Sequence, residues 1–322
     1  MISRRILRIK VLQTIYSHYI SGNQDITKSE KELFYSIQKS YDLYFLLLLL
    51  SINVADYANE VLEARRNKLI PSQEDLNPNF KFVNNKLITQ LRENTELASK
   101  LSSSKLSWVN YPELIKRLYK EFTETEEYKN YLNEPTNTYE NDRRILIFFY
   151  ENVVCECDLL YSTLEEMSCY WIDSVEFIIG MVKKTLSRYK IGFDNTYPMP
   201  TIYHSQDDKI FVGKLFRSAI ANNETYRELI SKSTNNWDLD RIAFLDILIM
   251  QIALAEICAF PEIPIRVSFN EYIEIAKFFS TSKSCLFING VLDSIVQQLI
   301  ADKKIKKIAV ETEKESTSDE NE

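Results

Sequence analysis

Five glycines and eight prolines in 322 residues leave this chain few places to turn tightly. Sheets and barrels need turn glycines at short intervals, so this scarcity argues against both. Leu, Ile, Lys, Glu and Tyr are plentiful instead, and apolar residues recur three and four apart, the period of a helix with one face in a core. The expectation is an all-α protein. Helical patterns cover residues 4–20, 28–67, 84–103, 111–122, 139–165, 168–190, 209–220, 224–233, 238–259, 268–279 and 284–301. Polar or proline-bearing stretches at 21–25 (SGNQD), 70–80 and 190–208 break the pattern, the last as a linker. Pro261 and Pro264 stop one helix, since neither can donate a backbone N–H. Ser268 with Glu271 three residues on has the spacing of a capping box.

At this length, with 45% hydrophobic residues, two domain-sized cores are possible. The tail from Lys303 carries a lysine cluster and then an acidic, Ser/Thr-rich end, and is expected to be disordered over 302–322. No secretory leader is expected. The apolar run Tyr44 to Ala55 falls short of the ~20 residues that a bilayer needs. The longer stretch 242–260 carries Asp246, Gln251 and Glu256, as a buried soluble helix would. Cys155, Cys157, Cys169, Cys258 and Cys285 form no CxxC pair, and His18 and His204 are the only histidines. Free thiols in a reducing cytoplasm are the plain reading, with no metal site. Phosphate-loop, GxSxG and HExxH patterns are absent, so nothing points to an enzyme or a cofactor.

The charge is unevenly laid out. The chain is acidic overall, with 39 Lys+Arg against 46 Asp+Glu, yet it opens with Arg4, Arg5, Arg8 and Lys10 before any acidic residue. On a helical wheel Lys10, Gln13, Thr14 and Ser17 form a polar stripe, with Val11, Leu12, Ile15, Tyr16 and Tyr19 broadly opposite. The arginines continue the apolar face at the helix N-terminus, where cations oppose the macrodipole. An edge that overhangs the core and meets an anion would resolve this, and arginine's planar fork suits phosphate. The other reading is plain surface charge, or pairing with an acidic insert later in the chain.

Three later stretches are more specific: 236–257 (NWDLDRIAFLDILIMQIALAEI), 263–281 (IPIRVSFNEYIEIAKFFST) and 287–295 (FINGVLDSI). In that order, after the opening RRxxRxxxxQxxY from Arg4 to Tyr16, they resemble the NusB family of transcription antitermination factors. The resemblance covers residues 1–20 and about 205–300. It implies NusB-like helical bundles, with residues 21–205 as a large helical insert after the first helix and 206–301 as the remainder of the domain. It further implies binding of boxA RNA together with NusE, the small-subunit ribosomal protein, in an RNA polymerase complex that supports rRNA operon transcription. No catalysis, cofactor or membrane is implied.

On this resemblance the RNA-binding candidates are Arg4, Arg5, Arg8, Gln13, Tyr16, Lys277, Lys283, Phe287 and Asn289. Tyr16 has two readings, a base-stacking ring or a core residue. Lys277 reads as a phosphate contact or an ordinary exposed lysine, and Phe287 as stacking or packing. Asn270 and Glu271 read as structural. Glu256 matches the family's glutamate at the NusE-facing helix, but Ala255 stands where an aromatic often precedes it. Lys283 and Leu286 also depart from the family pattern, which often has an acidic residue at the first and a polar or basic one at the second. Gly290 reads as close helix packing. Within the insert Phe34, Tyr41, Tyr44, Trp108, Phe148, Phe149, Tyr150 and Trp171 fall at helical spacings and are expected in a core. The rival function is a protein–protein scaffold of the same fold that does not bind RNA. An RNA-methyltransferase accessory domain is disfavoured, because no glycine-rich cofactor segment follows.

Overall fold

A computed structural model describes residues 3–22, 24–234, 242–305 and 307. The expected helix start at 238 and the acidic end of the tail lie outside these residues. No strand occurs among them. The helices are α1 (Arg4–Ile20), α2 (Ile26–Arg66), α3 (Gln73–Leu76), α4 (Lys86–Glu93), α5 (Thr95–Ser103), α6 (Pro112–Glu124), α7 (Glu126–Asn133), α8 (Tyr139–Phe148), α9 (Asp158–Met167), α10 (Val175–Arg188), α11 (Gln206–Ala221), α12 (Asn223–Ser233), α13 (Phe244–Ala259), α14 (Ile265–Phe279) and α15 (Ser282–Ala301). A π-helical segment, Phe149–Val154, follows α8, and a 3-10 turn, Ile172–Ser174, precedes α10.

The chain divides into two compact units. A terminal unit joins residues 3–34 to those from 205 onward, and an inserted unit holds 35–204. The division falls after Phe34 rather than after the first helix. The opening turns of α2 belong with α1 and α11: His18 Nδ1 and Ser29 Oγ share a 2.8 Å hydrogen bond, Arg217 pairs with Glu30, and Lys209 lies 5.9 Å from the Phe34 ring centroid.

The centre of the terminal unit is α13. Every residue from Asp246 to Ile257 is buried, as expected of a helix that is apolar all round. It touches α1, α11, α12, α14 and α15. Against this helix α1 is buried over much more of its circumference than a one-faced amphipathic pattern implies. Lys10 and Thr14, read as part of a polar stripe, are buried, whereas Tyr16, placed on the inner face, is 42% exposed. The cause is that α1 packs against α11, α13 and α14, with the start of α2 against its last turn. The Thr14 hydroxyl is satisfied within the helix by donating to the Lys10 carbonyl at 2.8 Å.

The capping box at Ser268 does not form. Pro264 occupies the N-cap of α14, and Ser268 lies inside the helix and is fully buried. Thr281 opens α15 and accepts a hydrogen bond from Ser284 N. In the inserted unit the apolar stretch of α2 is covered on all sides, with Leu43 to Leu48 at most 1% exposed. Its aromatic neighbours anchor through their polar ends. Trp108 Nε1 donates to Leu46 O at 2.8 Å, Tyr150 OH to Leu47 O at 2.7 Å and Trp171 Nε1 to Lys39 O at 2.7 Å. By length and composition α2 and residues 283–301 of α15 are apolar enough to cross a membrane, with 56% and 39% of their apolar windows buried within the protein.

Candidate nucleic-acid interface

Helix α1 starts where Ser3 accepts a hydrogen bond from Ile6 N. That cap sets three arginines in the first turns, and the structure gives them three different environments. Arg8 is inside. Its Nε donates to Glu256 Oε2 at 2.7 Å and its Nη2 to Glu256 Oε1 at 2.8 Å, a two-pronged pair with both side chains almost wholly buried. Ser268 Oγ donates to the same carboxylate at 2.7 Å and Tyr272 OH at 3.0 Å. Burial is the largest influence on the Arg8 guanidinium and works against its charge. The hydrogen bonds to Glu256 and the charges of Tyr272, Glu256 and Glu271 outweigh it, so the pKa rises. Burial, with the Glu256 charge beside it, pushes the Tyr272 phenol well up.

Two expectations are corrected here. Arg8 has no surface to offer RNA, and Glu256 has none to offer a protein partner. A buried carboxylate requires a cation and donors to offset its desolvation, and α1 and α14 supply them.

Arg4 and Arg5 are different. The Arg4 side chain is 45% exposed, and its Nε donates at 2.8 Å to Asp208, in the first turn of α11. Its guanidinium also lies 5.2 Å from the Phe211 ring centroid. Arg5 is 36% exposed and donates Nε and Nη2 to the two oxygens of Glu271, at 3.0 and 2.9 Å. Glu271 also lies 3.6 Å from Arg8 Nη1. It therefore anchors the start of α1 from within α14, a structural role as expected, but not a capping one.

Beyond Glu271 the same edge continues along α14. Glu274 acts electrostatically on Arg5 and pairs with exposed Lys277 at 2.6 Å. The hydrogen bond and charge of Glu274 raise the Lys277 ammonium. The first turns of α15 follow, with Lys283 and Asn289 exposed and Phe287 half-buried, and α14 and α15 are packed neighbours. Arg4, Arg5, Lys277 and the opening of α15 thus belong to one unit, linked through α14. Tyr16 and Gln13 lie about three turns further along α1 from Arg4 and Arg5. The Tyr16 ring centroid is 5.9 Å from that of Phe244, so the ring is half packed and half open. Leu286 is 79% exposed.

Sequence reasoning did not find Asp208 as the partner of Arg4, nor Ser268 and Tyr272 as hydrogen-bond donors to Glu256. The pair Arg4–Asp208 spans 204 positions and Arg5–Glu271 spans 266, and no local spacing encodes such contacts. Among the described residues no group of three His, Cys, Asp or Glu is placed to hold a metal. The five cysteines are unpaired.

These features define an all-α protein whose first helix is locked by buried charge into a bundle formed by the C-terminal third. The NusB family profile matches residues 189–297. The transcription antitermination protein NusB of Bacillus licheniformis is 34% identical over 120 residues, which are 36% of this chain and 93% of the relative. That of Desulfatibacillum aliphaticivorans is 38% identical over 115 residues, 36% of this chain and 77% of the relative. That of Chloroherpeton thalassium is 42% identical over 91 residues, 28% of this chain and 43% of the relative. No solved structure matches. The chain belongs to the NusB family, a family of transcription factors rather than enzymes. Of several curated relatives the chain spans only about half the length (43%, 57% and 56%).

Proposed function

We propose that this protein is a cytoplasmic transcription antitermination factor that holds boxA-type single-stranded RNA together with NusE, within an RNA polymerase complex on rRNA operons. The observation that carries this reading is the row of half-exposed and exposed cations at one edge of the family-related unit. Arg4 and Arg5 lead into α14 with Lys277 and then α15 with Lys283. Phe287 and Asn289 follow in α15 and offer a ring face and an amide to unstacked bases, the mode by which proteins read single-stranded RNA. Gln13 and Tyr16 extend the reading along α1. NusE would dock beside this edge by a surface other than buried Glu256. No step of this function calls for a membrane.

The test is fluorescence anisotropy of a labelled boxA-like RNA against a scrambled control, with and without NusE, at several salt concentrations. The expected result is preferential binding that NusE strengthens and salt weakens, with a slope near −0.7 per phosphate contacted. A folded protein that distinguishes the two RNAs under no condition would overturn the proposal. A scaffold that does not bind RNA is the second reading. One observation favours it: Arg4, Arg5 and Lys277 each already have a carboxylate partner.

A further inference from the structure

The carboxylates that hold the edge arginines are placed unusually for surface ion pairs. Asp208 is buried, with its side chain only 5% exposed, and Glu271 is 22% exposed, whereas the arginines they hold are 45% and 36% exposed. The acids are rooted in the protein and the cations reach outward. The contacts also leave donors over. Arg4 uses Nε on Asp208, and neither of its Nη groups has a hydrogen bond among the described residues; Arg5 uses Nε and Nη2 on Glu271, and Nη1 has none. A guanidinium carries five N–H donors in a fixed fork, so each arginine is gripped along one edge and keeps N–H groups on the other.

We propose that Asp208 and Glu271 are positioning residues that set RNA specificity at this edge. Each orients one guanidinium through its inner N–H groups and cancels its charge towards phosphates at large. A correctly threaded strand then receives directed hydrogen bonds from the outer N–H groups, and an arbitrary strand finds little net charge. The inference rests on the RNA-binding reading above. Nonspecific binding of nucleic acid is essentially electrostatic, and sequence is read by hydrogen bonds and apolar contacts to the bases. A cation already neutralised by a rooted carboxylate withdraws from the first and remains available for the second. This is consistent with a chain of net charge −7.

The experiment compares wild type with two double variants, Asp208→Asn with Glu271→Gln, and Asp208→Ala with Glu271→Ala. Each is titrated with boxA-like and scrambled RNA over a salt series, in the presence of NusE. The Asn/Gln variant keeps an acceptor for each arginine and removes the negative charge. It should bind scrambled RNA several-fold tighter, with a salt slope steeper by up to about 1.4, the value for two further phosphate contacts. The preference for boxA-like RNA should fall accordingly. The Ala variant loses orientation as well and should bind boxA-like RNA more weakly than the Asn/Gln variant. Thermal unfolding by circular dichroism checks that the variants fold. Should the Asp208 variants not fold, Glu271→Gln alone carries the test, with half the change in slope. Scrambled-RNA affinity and slope equal to wild type, in a wild type that does prefer boxA-like RNA, would overturn this inference alone. A wild type without that preference would overturn the RNA reading and this inference with it.

Discussion

At the scale of single residues, Arg4 and Arg8 differ sharply, although the opening motif presents them as equivalent cations four residues apart. Arg8 and Glu256 are buried together, and removing one member leaves the other as an unpaired buried charge, at a cost of about 3–5 kcal/mol. Arg8→Ala or Glu256→Ala should therefore lower the urea midpoint strongly whether or not RNA is present. Arg4→Ala with Arg5→Ala breaks only half-exposed pairs, each worth about 1 kcal/mol or less. That variant should melt within a few degrees of wild type while its RNA affinity falls. Equal melting losses in the two sets would contradict the placement of Arg8. His18 adds a pH effect. Burial lowers its pKa below 6.5, so the unfolded chain takes up the proton first as pH falls. Stability conferred by neutral His18 is present above about pH 7 and is lost as pH drops through the lowered pKa. The difference in unfolding free energy between wild type and His18→Gln, measured from pH 7.5 to 5, should shrink steadily towards acid. A pH-independent difference would show that His18 does not titrate this way.

At the scale of elements, helix positions were legible because the 3.6-residue period is local, and breaks were missed where a distant contact imposes them. Residues 84–103 read as one helix, yet the chain breaks at Asn94, which is fully buried. Asn94 Oδ1 accepts from Leu97 N at 2.9 Å to cap α5, while Nδ2 donates to Tyr197 O at 2.8 Å. The stop is thus set by a carbonyl more than a hundred positions away. Residues 139–165 likewise read as one helix. The π-helical segment Phe149–Val154 interrupts it and buries Phe149 and Tyr150 side by side, with the Tyr150 hydroxyl on Leu47 O. Neighbouring residues on a regular α-helix diverge by about 100°, and a widened turn changes that. Asn94→Ala should cost about 1–3 kcal/mol, from a lost cap and a half-buried carbonyl left unpaired. Urea unfolding monitored by tryptophan fluorescence measures it, and a loss below about 0.5 kcal/mol would mean that the break at Asn94 does not depend on its side chain.

At the scale of the whole molecule, the two ends of the insertion were unequally visible. Ser205 caps α11 by accepting from Asp207 N, and the acidic residues after it mark a helix start, so this end is written in the sequence. The other end is not, because α2 runs unbroken from Ile26 to Arg66 through the division after Phe34. The visible break is SGNQD at 21–25, where α2 is about to begin. A polar connector and a unit boundary are different things: the first shows where a helix ends, the second where packing partners change, and only the first leaves a local mark. The helices that pack on α13, namely α1, α11, α12, α14 and α15, all belong to the terminal unit. The contact of Lys209 with the Phe34 ring puts the two junctions within reach of a short linker. Loop-closure entropy changes by only about 0.6 kcal/mol per doubling of loop length, so removing the inserted unit should cost the terminal unit little. A variant with 35–204 replaced by a short Gly/Ser linker should unfold cooperatively, by circular dichroism, with stability within about 3 kcal/mol of the terminal unit's transition in the full chain. If it does so and keeps its preference for boxA-like RNA in the presence of NusE, recognition resides in the terminal unit. If it folds and loses that preference, the inserted unit takes part in holding RNA or NusE, and its own surface becomes the place to map the missing contact.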